Sequence, residues 1–177
     1  MPTKRTIEQL YELFEPGQPD RSITPDRVQD LILTLLGGYG RISGNGSTPF
    51  TLSQNDWAVV DVVTTLATGA RQFSMPQNGR LQCDCPVPSL MVNTGFLTLQ
   101  ANQAAVFEIA LGRNGVVDSN SISAFRLPPG GGSGTVPLHN DFLQEQNDYV
   151  EVFIRRTDGS ANPSVTHYLL SGQTFTQ

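Results

Sequence analysis

Few side chains in this sequence could carry nucleophilic or acid–base chemistry. The two histidines, His139 and His167, both fall in segments with the alternating pattern of a β-strand. A hydrolase needs a nucleophile, a base and an acid that orients the base. No Gly-x-Ser-x-Gly sequence is present to supply the first of these. We therefore interpret both histidines as structural residues.

Two carboxylates at a suitable separation could instead cleave a glycosidic bond. The carboxylates available for such a pair are Asp61, Glu108, Asp141, Asp148 and Glu151. Their spacing selects no pair. Asp148 is better explained as a turn residue, and Glu151 as the partner of Arg155 in an ion pair on one face of a strand. We predict that the protein is not an enzyme.

The two cysteines lie in the sequence Cys83-Asp84-Cys85. Strand positions i and i+2 share a face but lie about 6–7 Å apart, so a disulfide between them would be strained. A metal ion would need two more ligands, and no recognisable zinc spacing is present. We predict two small, reduced, buried side chains, and no metal or cofactor.

Composition favours a β-rich domain and excludes two classes of partner. Of the 177 residues, 38% are hydrophobic and 15% charged, with 17 Gly and 12 Pro. Low charge with many turn residues favours strands over helices. The net charge of −5, without a basic patch, argues against nucleic-acid binding. No apolar run is long enough to span a membrane, and the N-terminal sequence lacks a signal-peptide apolar region, so we expect folding in a cytoplasm.

The strongest strand pattern occupies residues 147–156. Its aliphatic face consists of Val150, Val152 and Ile154. Its opposite face consists of Tyr149, Glu151, Phe153 and Arg155. A strand that faces only water does not need two large aromatic side chains. We therefore predict that these four residues form the interface with other copies of the chain.

The rest of the chain from Asp56 onward also consists of strands separated by turns. About eight strands are predicted, with no helices between them. They include one strand over 57–66, two short strands at 89–92 and 95–99 separated by a turn, and a closing strand over 163–170. Arg113-Asn114-Gly115 predicts a hairpin turn. This pattern predicts an antiparallel double-sheet sandwich, with a jelly roll as the leading form.

The N-terminal segment has a different pattern, that of two short amphipathic helices. The first covers residues 6–14, and the second begins at the N-cap Thr24 and ends before Gly37-Gly38. Their apolar stripes consist of Leu10, Leu13 and Phe14, and of Val28, Leu31, Ile32 and Leu35. The stripes could pack on the chain's own β domain or on a different protein. Residues 37–56 are interpreted as a linker with one candidate strand over 40–43, which gives a docking segment and linker at 1–47 and a jelly-roll domain at 48–177.

The order of several motifs resembles that of tailed-phage virion proteins. Residues 22–31, running into Gly37-Gly38-Tyr39-Gly40, look like the N-terminal segment of many such proteins. Those proteins continue into a domain similar to the tumour-necrosis-factor/C1q jelly roll. The later matching motifs are Asn78-Gly79-Arg80-Leu81, Phe107-Glu108-Ile109-Ala110-Leu111 before Asn114-Gly115, and Asp148-Tyr149-Val150-Glu151-Val152. The resemblance covers roughly residues 20–172, and the Pro-rich stretch at 83–88 departs from it.

This resemblance implies a homotrimeric jelly roll on a phage particle. We consider three functions: a cement (decoration) protein that binds the major capsid protein and stabilises the head, a receptor- or glycan-binding knob of a fibre or spike, and an enzyme that trims host polysaccharide. A fibre usually needs a long shaft, a coiled coil or repeats, and this sequence has none of them. The cement protein, on the capsid surface of the virion and assembled in the host cytoplasm, is therefore the leading interpretation. Its predicted capsid-docking residues are the two apolar stripes of residues 1–36.

Overall fold

The structure is a computed structural model that describes residues 37–46, 49–128, 130 and 132–175. The two predicted N-terminal helices, and with them the predicted docking residues, lie outside these residues. None of the described segments forms a helix that could span a bilayer.

The described part of the chain consists of twelve β-strands and one short 3₁₀ helix. The first six strands are β1 (Tyr39–Gly44), β2 (Ala58–Val59), β3 (Thr64–Leu66), β4 (Phe73–Ser74), β5 (Leu81–Cys83) and β6 (Ser89–Ala101). The other six are β7 (Ala105–Arg113), β8 (Val116–Val117), β9 (Ser123–Leu127), β10 (Gly132–Gln144), β11 (Tyr149–Gly159) and β12 (Ser164–Phe175). The 3₁₀ helix, Ser119–Ser121, precedes β9.

These strands form two antiparallel sheets that pack face to face. The first sheet has the order β10-β6-β12-β1-β3. The second has the order β4-β5-β11-β7-β8, with β2 paired to β11 and β9 paired to β7. The predicted antiparallel sandwich is therefore confirmed.

The hydrophobic core lies between the two sheets. In β11, Val150, Val152 and Ile154 are fully buried, as the alternation in the sequence predicts. From the first sheet, β12 contributes Val165, Tyr168 and Leu170. The predicted alternation of β12 is wrong at His167, because the pairing register of β12 with β6 shifts between Val165 and His167. This irregularity leaves His167 exposed and turns Tyr168 into the core.

Strand β1 lies in the segment that the sequence analysis interpreted as a linker. The candidate strand at 40–43 is confirmed, and it is a full member of the first sheet, where it pairs with β12 on one side and β3 on the other. A Cβ atom at Gly40 would lie 2.5 Å from Cβ of Phe73, so only glycine allows this close approach. Gly40 thus serves sheet packing, and the described part of the sandwich begins with the strand at Tyr39.

Two strand predictions are wrong because the strands there are defined by pairing with segments distant in the sequence. Residues 57–66 are not one strand: β2 pairs with β11 in the second sheet, and β3 pairs with β1 in the first. The chain crosses between the sheets at residues 60–63 while Val60 and Val62 stay buried, so the alternation continues through the crossing. Conversely, the predicted turn at Asn93-Thr94-Gly95 is absent, because β6 runs unbroken from Ser89 to Ala101.

The predicted turn after β7 is confirmed. Asn114 and Gly115 both have positive φ, of 52° and 83°, and they join β7 to β8. Two consecutive residues with positive φ are typical of the tight hairpin turn that Asn-Gly favours.

Candidate functional site

The outward face of β11 carries the four residues predicted as an interface. Tyr149, Glu151, Phe153 and Arg155 alternate with the core residues of the same strand. Strand β11 lies inside the second sheet, with β7 along one edge and both β5 and β2 along the other. We call these four residues the β11 outer face. The four side chains share one outward face, as predicted. They are less exposed than expected, because Glu151 and Phe153 are buried within their own chain.

Phe153 is already covered by its own chain. Its exposed fraction is only 5%. The ring lies over Gly112 of β7, where a Cβ atom would be 2.4 Å from Cε2 of Phe153. The neighbouring outward position of β7, Ala110, is also small, and it pairs directly with Phe153. The expectation that a single chain leaves Phe153 in water is therefore wrong, because small residues on β7 make room for the ring.

Glu151 forms a buried ion pair with an arginine from a turn. Its side chain is 1% exposed, and Oε2 accepts a hydrogen bond from Nε of Arg80 at 2.9 Å. The other carboxylate oxygen, Oε1, is buried and has no hydrogen-bond partner within the described part of the chain. The Arg80 guanidinium also lies 4.4 Å from the centre of the Tyr149 ring, in a cation–π contact. The predicted pairing of Glu151 with Arg155 is wrong.

A tyrosine of the opposite sheet supports the turn that carries Arg80. The Tyr168 hydroxyl donates a hydrogen bond to the carbonyl oxygen of Gly79 at 3.0 Å. Gly79 has a φ of 74°, a value typical of a glycine in a turn. Burial raises the pKa of Tyr168, and the nearby charge of Glu151 raises it further. The phenol therefore stays protonated and keeps its donor directed at Gly79.

Arg155 forms a second ion pair of the same composition at the other end of the β11 outer face. Its Nη2 and Nε lie 2.6 and 2.7 Å from Oε2 of Glu108, on the adjacent strand β7. Its guanidinium lies 4.6 Å from the centre of the Trp57 ring. Each end of the face thus has one aromatic ring, one arginine and one carboxylate. This second set is more accessible, with Arg155 and Glu108 exposed by 29% and 25%.

An apolar strip lies between the two ion pairs. It consists of Val59 on β2, the Phe153 ring, and Val117 on β8. Val59 is the direct partner of Phe153 across the strands, and Val117 is the direct partner of Gly112, over which the ring lies. Val59 is 36% exposed and Val117 is half-buried, whereas Val116 pairs with Arg113 and lies on the opposite face. A second surface with an apolar centre and charged margins would be complementary to this arrangement.

Sequence reasoning missed Trp57, Arg80, Glu108 and Val117 as members of this surface. The alternation of β7 places Glu108 outward, and the turn signal places Arg80 close to a strand end. Neither signal identifies the strand that lies alongside. Only the pairing register brings Glu108 opposite Arg155.

The remaining residues considered for chemistry lie apart from this surface. His139 and His167 are exposed on β10 and β12, and Nε2 of His139 lies 3.7 Å from Oδ1 of Asp141. Cys83 and Cys85 are fully buried, as predicted. Sγ of Cys85 lies 3.6 Å from the Thr174 hydroxyl. Among the described residues, no group of three or more His, Cys, Asp or Glu side chains could hold a metal ion.

Comparison with known proteins identifies the fold. No protein-family model matches the sequence, and no curated protein matches it. Among solved structures, the Eiger TNF of S. frugiperda matches with a TM-score of 0.53 at 10% identity, covering 80% of this chain and 94% of that one. The sandwich is TNF-like. Murine APRIL (TM-score 0.47, 13% identity, 77% of this chain and 99% of that one) and the globular domain of zebrafish complement 1qA (0.44, 12%, 79% and 98%) are further matches.

The TNF-like sandwich is the fold that the sequence resemblance implied. At 10% identity the similarity to Eiger concerns the fold alone.

Proposed function

We propose that this chain is a structural protein of a tailed-phage particle. It forms a homotrimer on the outer surface of the head, binds the major capsid protein and stabilises the shell as a cement protein. It is assembled in the host cytoplasm and becomes part of the virion. The proposal includes no catalytic turnover and no cofactor.

The observation that carries this proposal is the combination of two parts in one chain. The sequence of residues 22–40 resembles the N-terminal segment of phage virion proteins, and the TNF-like sandwich follows it directly. The later motifs of the resemblance fall on matching structural features: Asn78-Gly79-Arg80 in a turn, Asn114-Gly115 in a hairpin, and residues 148–152 at the start of β11. These three motifs thus lie in turns or at the start of a strand.

Self-association would use the β11 outer face together with the apolar strip. Phe153 is already buried, so the apolar area that a second copy could cover belongs chiefly to Val59 and Val117. Burial of valine side chains at this level of exposure contributes about 1 kcal/mol per chain. The Arg155–Glu108 pair at the margin would add selectivity for a partner copy more than affinity.

Attachment to the capsid would use the two apolar stripes of residues 1–36. Helices as short as those predicted are marginal in water and need a surface to pack on. A trimer would present three such segments at once, and the second and third contacts would form at high effective concentration. A weak contact per chain would then give high occupancy on the shell.

Two measurements test this function. Quantitative mass spectrometry of purified particles gives the copy number, which we expect to be on the scale of the capsid subunits; a handful of copies per particle would instead favour a fibre or spike knob. The full chain with Leu31→Asp and Leu35→Asp should bind empty particles at least about tenfold more weakly, because two charges would enter an apolar contact.

The matched control is Gln29→Asp, which adds a charge to the same segment outside the apolar stripe. Gln29→Asp should bind as the unmodified chain does. Equal binding by all three proteins would show that the stripes are not the docking element, and a drop in thermal stability of the stripe variant without loss of binding would show that they pack on their own sandwich.

A further inference from the structure

We propose that a polar cleft at one end of the sandwich binds a neutral saccharide. This end cleft has a volume of about 620 Å³. Its described lining consists of Pro49, Gln100, Ala101, Asn102, Gln103, Ser160, Ala161, Asn162 and Ser164. The ligand class follows from the chemistry of the lining and from the way the cleft is held open.

The end cleft lies between two loops that cross from one sheet to the other. Residues 102–104 connect β6 to β7, and residues 160–163 connect β11 to β12. The loops meet through a hydrogen bond in which Ser160 Oγ donates to Oε1 of Gln103 at 3.1 Å. The cleft is therefore formed by two connections that the fold brings to the same end of the sandwich.

The chemistry of the lining selects an uncharged, hydroxyl-rich ligand. Four of the nine described lining residues carry amide side chains and two carry hydroxyls. An amide offers both donors and an acceptor, as a hydroxyl does, so such a surface matches the hydroxyls of a sugar. No lining residue in the described part of the chain is charged, so neither an anion nor a cation finds a counter-charge. Pro49, which is exposed, provides a small apolar area for the C–H face of a sugar ring.

The loop at 160–163 is held in place by an arginine of β11. Nη1 of Arg156 donates to the carbonyl oxygens of Ser160 and Ala161 and to Oδ1 of Asn162, at 3.1, 3.0 and 3.2 Å. The same Oδ1 accepts a hydrogen bond from the backbone N–H of Leu52 at 3.1 Å. Because its carbonyl oxygen is engaged by two donors, the Asn162 amide has a fixed orientation. A fixed lining loses little conformational entropy when a ligand binds.

The cleft lies at the opposite end of the sandwich from Tyr39, where β1 begins. Residue Tyr39 pairs with Gln173 near the end of β12, whereas Ser164 of the cleft begins that strand. About ten strand residues separate the two ends, which corresponds to about 30 Å. If residues 1–36 hold the capsid, as the proposed function states, the cleft faces away from the particle. Only this orientation rests on the proposed function; the binding chemistry does not.

The experiment is a titration of the full-length ¹⁵N-labelled protein with soluble neutral trisaccharides, namely maltotriose and triacetylchitotriose. We expect shifts of the Asn102, Gln103 and Asn162 side-chain amides, with a weak, millimolar Kd because the described lining has no aromatic ring for stacking. The double substitution Asn102→Ala and Gln103→Ala should weaken binding about tenfold or more. Gln100→Ala, within the regular strand β6, is a second test should the loop variant fold poorly.

The matched control is Gln146→Ala, which removes an exposed amide from the turn before β11, at the other end of that strand. It should leave the affinity unchanged. Retention on an amylose column that Asn102→Ala with Gln103→Ala abolishes, without a trisaccharide shift, would assign the cleft to a longer neutral polysaccharide. Shifts only with a charged heparin tetrasaccharide, or neither cleft shifts nor amylose retention with the neutral sugars, would overturn the proposal. Particle binding by the cleft variants separates this outcome from that of the capsid proposal.

Discussion

Removal of Arg80 should leave Glu151 as an uncompensated charge inside the protein. Glu151 is 1% exposed, and Nε of Arg80 is 2.9 Å from its Oε2. In Arg80→Met the carboxylate would keep its burial but lose its counter-charge. Breaking a buried ion pair by removing one partner costs about 3–5 kcal/mol. Because Arg80 itself is 28% exposed, water can partly replace it, and we expect the lower end of that range.

A loss of about 3 kcal/mol corresponds to a fall in Tm of about 6–12 °C for a chain of this size. Arg155→Met is the matched control, since Arg155 has a similar exposure and also contacts both an aromatic ring and a carboxylate. Its partner Glu108 is 25% exposed and can be solvated, so the expected cost is about 1 kcal/mol or less. The comparison isolates the burial of the carboxylate.

The assay is urea unfolding of each variant, followed by circular dichroism at one fixed protein concentration, because self-association makes apparent stability depend on concentration. Adding Glu151→Gln to Arg80→Met removes the stranded charge and should restore at least about 1 kcal/mol. Equal losses for Arg80→Met and Arg155→Met, or no recovery in the double variant, would refute the argument that the buried charge decides the cost.

Three further predictions concern the same region. Because burial raises the pKa of Tyr168 while the unfolded phenol titrates near 10.0, stability should hold below pH 10 and fall above it by up to about 1.4 kcal/mol per pH unit. Urea unfolding midpoints measured between about pH 8 and 11 should fall less steeply with pH for Tyr168→Phe than for the unmodified protein. Tyr39→Phe, at an exposed site, should leave this pH dependence unchanged. Gly112→Ala should cost about 1–3 kcal/mol in chemical unfolding, because its Cβ would lie 2.4 Å from the Phe153 ring, and adding Phe153→Leu should recover part of that loss. Val59→Lys should shift the protein from trimer to monomer in sedimentation velocity with little change in the far-UV spectrum, because it places a charge beside Phe153; a trimer that persists would exclude the apolar strip as its interface.

The sequence predicted those features of the fold that depend on local pattern. The alternation of 149–155 predicts the core face of β11 directly. Asn114-Gly115 predicts the hairpin between β7 and β8, because the turn needs two residues with positive φ. Such signals need only the residues themselves. For this reason the antiparallel sandwich was predictable, whereas the pairing of individual strands within it was not.

Features that depend on distant neighbours were not predictable. Gly95 suggested a turn, yet it is a strand residue, since a Cβ atom there would lie 2.1 Å from the carbonyl oxygen of Leu169 on β12. Phe153 suggested an exposed ring, yet Gly112, forty-one positions earlier in the chain, provides space for it. In both cases the residue type is compatible with two structures, and the adjacent strand determines which of them forms.

The position of β12 between β6 and β1 has a consequence for biosynthesis. The first and last described strands are direct neighbours, so the five-stranded sheet cannot close until the C-terminal strand has left the ribosome. Until then β6 and β1 both present unpaired edges, which are prone to pair with other chains. Pairing across such a long sequence separation also slows folding to about the millisecond-to-second range. A chain truncated before Ser164 would expose both edges permanently, and we expect it to associate through them.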